Sequence, residues 1–137
     1  MNWQINFTER YQYQTTQAGI EIPTTISFDG RVVTFMAKID TGARYCLFKR
    51  EHGERLGLDI DAGVSITLDS LGGPVEAFGH EVTLETFDLS FQSFVCFAKY
   101  PGLRRNLLGS VDWFRNLRVG VIDYDEMIYL AAYDAVS

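Results

Sequence analysis

Short runs of alternating apolar and polar residues fill most of the chain and predict a mainly β protein. Residues 24–28 and 31–39 flank Asp29-Gly30, and an Asp-Gly pair between two strand-like runs predicts a tight hairpin, because both turn residues need positive φ. Further strands are predicted at 64–68, at 75–89 and at 91–98. A second hairpin is predicted where 119–124 and 127–132 flank Asp125-Glu126.

Two segments interrupt the alternation. Residues 49–58 (KREHGERLGL) contain good helix formers and end near Gly57, and residues 111–117 (VDWFRNL) have a similar character, so each predicts a short helix. Residues 1–19 are polar and aromatic without low complexity, which favours an N-terminal arm or edge strand. The remainder, 20–137, is predicted to be one domain.

The length and composition of the chain permit a hydrophobic core that needs no cross-links. A chain of 137 residues that is 47% hydrophobic can bury enough apolar surface to fold without disulfides or a metal. Its longest apolar runs, such as 94–98, are far shorter than the roughly 18 residues that span a membrane. The first twenty residues lack the basic start and apolar stretch of a secretory signal. We therefore expect a soluble, cytoplasmic protein that does not insert into membranes.

Charge and ligand-forming residues narrow the range of partners. The formal net charge of -6 repels phosphate backbones, so nucleic acid is not an expected partner. Cys46 and Cys96 lie far apart in apolar or aromatic surroundings, and His52 and His80 are isolated. This pattern favours buried thiols and predicts neither a metal site nor a cofactor.

The segment with a chemical signature is KIDTGA, where an apolar strand runs directly into Asp40. A carboxylate at the end of a buried strand must be paired, hydrogen-bonded or protonated. Gly42 lets backbone amides approach that carboxylate, and Thr41 offers a hydroxyl for a second layer of hydrogen bonds. Taken alone, the triplet is also compatible with an ordinary turn after a strand.

The order of the surrounding motifs resembles the retropepsin-like aspartic proteases, the single-domain family that includes the retroviral proteases. The resemblance extends from about Ile26 to Leu130. It rests on the Asp-Gly hairpin and on the segments AKIDTGARYCLF, REHGERLGL, LGGPVEAFG and NLLGSVDWFRNLRVGVIDY. It implies a closed acid-protease β-barrel with one or two short helices.

The resemblance also assigns roles to particular residues. It implies that Asp40 is the catalytic acid and that its active-site loop contains Thr41, Gly42 and Ala43. A glycine-bearing hairpin, the flap, closes over the substrate in this family and corresponds to Leu71, Gly72, Gly73 and Pro74, although a loop without a gating role is the alternative. The residues that pack behind the site correspond to Leu107, Leu108 and Gly109.

One departure concerns the segment after Gly109. The family usually places one residue between this glycine and an Asp or Asn, whereas both Ser110 and Val111 precede Asp112 here. We expect the following short helix to begin in a different register.

A single Asp-Thr-Gly triplet predicts a homodimer. Peptide hydrolysis by this chemistry needs two carboxylates close together, so the second Asp40 must come from another copy of the chain. The implied activity is endopeptidase cleavage of an extended polypeptide by a water activated between the two Asp40 side chains. A non-catalytic dimerisation or peptide-binding module and a β-barrel ligand carrier are the alternatives, but neither needs an aspartate at Asp40.

Overall fold

The computed structural model describes residues 1–15 and 18–136, and within them it contains ten β-strands and one α-helix. The strands are β1 (Glu9–Gln12), β2 (Glu21–Phe28), β3 (Arg31–Ile39), β4 (Leu47–Phe48), β5 (Val64–Leu68), β6 (Val75–Thr86), β7 (Leu89–Ala98), β8 (Asn106–Leu108), β9 (Leu117–Ile122) and β10 (Met127–Ala132), and the helix is α1 (Arg50–Arg55). The mainly β prediction is confirmed.

Six strands close into a barrel. Strands β2, β3, β8, β4, β7 and β6 neighbour one another in that order, and β6 pairs with β2 again where Leu84 lies opposite Ile26. Closure supplies partners for backbone groups that an open sheet would leave at its edges. Strand β5 is added outside the ring by pairing with β6. The predicted closed barrel is confirmed.

Two apolar clusters lie on opposite faces of the long β6–β7 hairpin. Val82 and Leu84 of β6 belong to the main core, whereas Ala77 of the same strand belongs to a smaller cluster with Cys96. The smaller cluster is flanked by partly buried apolar residues from several elements: Tyr45, Ile66, Leu68, Val75, Leu103 and Leu107. Cys46 and Cys96 are both free and buried, as predicted.

The first hairpin forms as predicted, with φ of 49° at Asp29 and 80° at Gly30. The turn between β6 and β7 occurs at Phe87-Asp88, inside the run 75–89 that the alternation assigned to one strand. Phe87 adopts φ 53° without the glycine or asparagine that would announce such a turn. Its ring packs 5.3 Å from that of Tyr11, so a tertiary contact accompanies the unusual backbone.

The second hairpin has a longer connection than the predicted two-residue turn. Strand β9 ends at Ile122, a 3-10 turn covers Asp123–Asp125, and Glu126 follows with φ 54°. The hydroxyl of buried Tyr13 donates a 2.5 Å hydrogen bond to Asp123 Oδ1. This bond raises the pKa of Tyr13 to about 12 and ties the turn to the chain that follows β1.

Only the first of the two predicted helices forms an α-helix. It spans Arg50–Arg55 within the predicted 49–58, and Gly57 ends the segment with φ 81°. The segment 111–117 instead forms a turn followed by a 3-10 turn at Phe114–Asn116. Its amides bond five residues back, from Phe114 N–H to Gly109 O and from Arg115 N–H to Ser110 O, so this turn is wider than a turn of an α-helix.

A separate three-stranded antiparallel sheet has the order β1, β10, β9, with β1 at an edge. Arg10 of β1 lies opposite Tyr129 of β10. Before β1, the Phe7 ring lies 5.7 Å from the Tyr129 ring, tilted by 41°, and covers Gly120. Among the described residues, no helix is both long enough and apolar enough to cross a membrane.

Candidate active site

Asp40 lies directly after β3, where that strand runs parallel to β8. Ile39 is paired with Leu108, and the Asp40 amide donates to Leu108 O at 3.0 Å. The half-buried Asp40 therefore lies at the end of β3, next to β8, and both strands belong to the closed barrel. Its backbone position is fixed by the sheet before the loop begins.

The turn after Asp40 orients one of its carboxylate oxygens. The Gly42 amide donates to Asp40 Oδ1 at 3.0 Å, and the Ala43 amide donates to Asp40 O at 3.1 Å. A Cβ at Gly42 would lie 3.3 Å from Asp40 Oδ1, so glycine permits this close approach. Asp40 Oδ2 accepts no hydrogen bond from the described part of the chain. Thr41 is exposed, and its hydroxyl makes no hydrogen bond within that part either, unlike the predicted second layer.

A second loop, which follows β8, supports the first from behind. Ser110 N–H donates to Ala43 O at 2.8 Å, and Val111 N–H donates to Arg44 O at 3.0 Å. Gly109 lies against the backbone of Tyr45, and a Cβ there would overlap the Tyr45 carbonyl group. A side chain larger than hydrogen at Gly109 would separate the two loops.

A buried carboxylate joins the same two loops. Asp112 is 5% exposed, and its Oδ2 and Oδ1 accept hydrogen bonds from the Cys46 amide at 2.6 Å and the Cys46 thiol at 3.1 Å. Burial raises the pKa of Asp112. Burial, followed by the neighbouring Asp112 charge, raises the pKa of the Cys46 thiol well above its usual value. Asp112 thus fastens the strand that leaves the Asp40 loop.

Sequence reasoning located Asp112 but not its contact with Cys46. The two residues are 66 positions apart, and nothing in either local pattern indicates the pairing. The surroundings of Cys46 are more polar than predicted, because Gly109 N–H also approaches its sulfur, at 3.4 Å.

The two leucines before Gly109 face different clusters. Leu108 is 1% exposed and belongs to the main core. Leu107 is half-buried and packs against the smaller cluster that also receives Tyr45. The structure therefore brings this pair next to the Asp40 loop through β8, with one leucine on each side of the strand.

The glycine-bearing segment forms the tip of the hairpin between β5 and β6. Gly73 N–H donates to Ser70 O at 3.1 Å, the Ser70 hydroxyl donates to Gly73 O at 2.5 Å, and Gly73 has φ 110°. Leu71 is fully exposed. Among the described residues, no hydrogen bond joins Leu71, Gly72, Gly73 or Pro74 to the Asp40 loop. The base of the hairpin packs against the smaller cluster through Leu68 and Val75.

Two surface clefts lie elsewhere. One of about 490 Å³ is bordered by α1 and by Tyr100, and one of about 320 Å³ is bordered by Phe35 and His52. Burial lowers the pKa of His52, whose ring stacks 4.3 Å from that of Phe35. Asp40 lines neither cleft. Within the described residues, no group of three or more metal-ligating side chains converges.

Comparison with known proteins agrees with this geometry. Residues 23–110 match the family model for aspartyl proteases. The chain therefore belongs to the aspartyl protease family. No curated protein sequence matches the chain.

Two solved structures share the fold. A retropepsin-like aspartic protease from Rickettsia conorii superimposes with a TM-score of 0.63 at 16% identity, covering 93% of this chain and 100% of that one. The EIAV protease, solved in complex with the inhibitor HBY-793, superimposes with a TM-score of 0.52 at 20% identity, covering 70% of this chain and 86% of that one. At these identities the likeness establishes the fold.

Proposed function

We propose that the protein is an aspartic endopeptidase that hydrolyses extended polypeptides as a homodimer, with Asp40 of each copy forming the catalytic dyad. The observation that carries this proposal is the state of the Asp40 carboxylate. Oδ1 is held by the Gly42 amide, whereas Oδ2 accepts no hydrogen bond from the described residues. A carboxylate with one oriented oxygen and one unengaged oxygen is suited to bind water and to share a proton.

The dyad needs a second copy because the sequence contains one Asp-Thr-Gly triplet. A two-fold axis passing beside the exposed Thr41 would place two Asp40 side chains opposite each other, and each protomer would contribute half of the site. The Leu71–Pro74 tip is proposed as the flap that closes over the bound chain. Its exposure is compatible with that motion, as is the lack of hydrogen bonds between it and the Asp40 loop within the part of the chain that the structure describes.

The proposed reaction uses one ionised and one protonated carboxyl group. The carboxylate takes a proton from water as the water oxygen attacks the peptide carbonyl carbon, while the protonated carboxyl donates a hydrogen bond to the carbonyl oxygen. Collapse of the tetrahedral intermediate breaks the C–N bond. The leaving nitrogen receives a proton from the dyad, which returns to its starting state.

Incubation with unfolded casein at mildly acid pH, with and without pepstatin, tests the activity. We expect cleavage that pepstatin inhibits, together with a dimer in light scattering at tens of micromolar. A monomer that still cleaves peptides would contradict the shared dyad. A dimer that binds unfolded chains without cleaving them would favour the non-catalytic binding module instead.

A further inference from the structure

A cation sits on the same turn as the proposed catalytic carboxylate. Arg44 follows Asp40 by four residues, is exposed, and has its backbone carbonyl fixed by Val111 N–H at 3.0 Å. Its position relative to Asp40 is therefore set by the loop and not by a mobile segment. Sequence reasoning did not single out this residue.

The Arg44 side chain is held in place but not neutralised. Its guanidinium carbon lies 5.6 Å from the centre of the Tyr45 ring, a distance typical of a cation–π contact. The Tyr45 ring in turn meets Phe94 edge-on at 5.9 Å. Among the described residues, Arg44 has no carboxylate within 4 Å, so its N–H donors face solvent.

The Arg44 guanidinium adjoins an apolar surface next to the Asp40 loop. Tyr45 packs against the smaller apolar cluster, as do Leu107 beside the Asp40 loop and Leu68 at the base of the hairpin. A polypeptide lying across Asp40 would thus meet apolar side chains and one guanidinium.

We propose that Arg44 is a specificity-determining residue, which favours polypeptides carrying an aspartate or glutamate within a few residues of the scissile bond, next to apolar side chains. This inference rests on the proposed function, since it assumes that a polypeptide lies across Asp40. A guanidinium presents N–H donors in a fork that matches a carboxylate. The apolar neighbours reduce the competition from water for that contact.

Binding without turnover provides the test. The probes are fluorescein-labelled decapeptides with a central Leu-Phe. Each peptide carries a single Glu, or in its matched partner a single Gln, at one of the three positions on either side of Leu-Phe. Their affinity for the Asp40→Asn protein is measured by fluorescence anisotropy. We expect Glu to bind about fivefold more tightly than Gln at one or two positions, the size of a good surface ion pair. Added salt should reduce the preference.

Matched variants in the same Asp40→Asn background assign the preference to one residue. Arg44→Ala should abolish it, and Arg44→Lys should retain part of it. Arg55→Ala, which removes another exposed cation, on α1, should leave it intact. Equal affinity for Glu and Gln peptides, or a preference that survives Arg44→Ala, would overturn the proposal.

Two further measurements separate this inference from its alternatives. Sedimentation of Arg44→Ala should show the same association as its parent, and loss of the dimer would mean that Arg44 serves a second copy and would overturn the proposal. Hydrolysis of the same peptides by the wild-type protein tests the endopeptidase proposal independently. Absent cleavage with an Arg44-dependent preference would reject the endopeptidase and leave the binding specificity in place.

Discussion

The Asp40 loop and the Leu71–Pro74 tip are both glycine-bearing turns, yet they are built in opposite ways. The loop is bonded to β8, to the wide turn at 110–113 and, through Cys46, to buried Asp112. The tip has the bonds between Ser70 and Gly73 and a fully exposed Leu71. One turn is fixed by the tertiary structure, and the other is held by its own residues.

This contrast fits a division of labour in the proposed enzyme. A catalytic carboxylate works best when it is already positioned before the reaction, so that no free energy is spent on ordering it in the transition state. The hydrogen bonds of the Asp40 loop provide this positioning. A segment that admits and covers substrate belongs to the less stable parts of a fold, which have few buried contacts. The same residue type, glycine, serves close packing at Gly109 and backbone freedom at Gly73.

The largest effect is expected from Asp40→Asn. An amide can neither take a proton from water nor share one with its mate, so kcat/KM on casein-derived peptides should fall by about 10³-fold or more. The free energy of unfolding should change little, since the Asn oxygen can still accept from the Gly42 amide. Asp29→Asn, the same change in the exposed hairpin turn, is the control and should retain activity. Activity near the wild-type level in Asp40→Asn would place the chemistry elsewhere.

Gly109→Ala tests the packing of the loop. The added methyl group would overlap the Tyr45 backbone, so we expect a loss of about 1–3 kcal/mol in the free energy of unfolding by urea, accompanied by reduced activity. Gly72→Ala is the matched change at the tip, where the nearest atom is Ser70 Oγ at 4.0 Å. It should cost less than about 0.5 kcal/mol. Equal costs in the two variants would remove the contrast between the turns.

Gly73→Val tests the backbone freedom of the tip. Gly73 has φ 110°, which valine adopts only with strain of about 1–2 kcal/mol, so kcat/KM should fall by up to about tenfold as the tip takes another turn. Gly30→Val imposes the same kind of strain at φ 80° in a hairpin without a proposed role. The flap assignment predicts that only Gly73→Val impairs substrate turnover once both are corrected for folded fraction. Unchanged kcat/KM in Gly73→Val would remove that assignment.

The smallest effect is a change in pH dependence at Asp112. Burial raises the pKa of Asp112 above its ordinary value of 3.8, so the native protein holds this proton more tightly than the unfolded chain does. The resulting stabilisation is complete below 3.8 and is lost as the pH rises through the native pKa. Asp112→Asn should flatten this decline in urea titrations at several pH values, whereas Asp88→Asn, on an exposed turn, should not. An unchanged slope would show that the Asp112 carboxyl does not titrate with folding.

Much of the barrel was predictable because strand alternation and tight turns are local signals. The Asp29-Gly30 turn needs positive φ at both positions, and an Asp-Gly pair is a sequence that favours this conformation. The turn at Phe87 could not be read in this way, since its backbone is accompanied by the ring contact with Tyr11 from a distant strand. The missing second helix is a similar case, because the segment that contains Asp112 is bonded to Cys46, 66 residues away, and local helix-forming residues do not indicate that contact.

The sequence by itself determined the strand-rich class, the acid at the end of a strand and the glycine that approaches it, because each depends on neighbours in the chain. The tertiary structure alone decided which groups hold that acid in place and what surrounds it. Separate segments of the chain meet in the Cys46–Asp112 bonds and in the contact of Gly109 with Tyr45. They also meet in the apolar surface beside Arg44. Barrel closure brings those segments together. A local pattern of apolar and polar residues does not indicate which distant segments will come into contact.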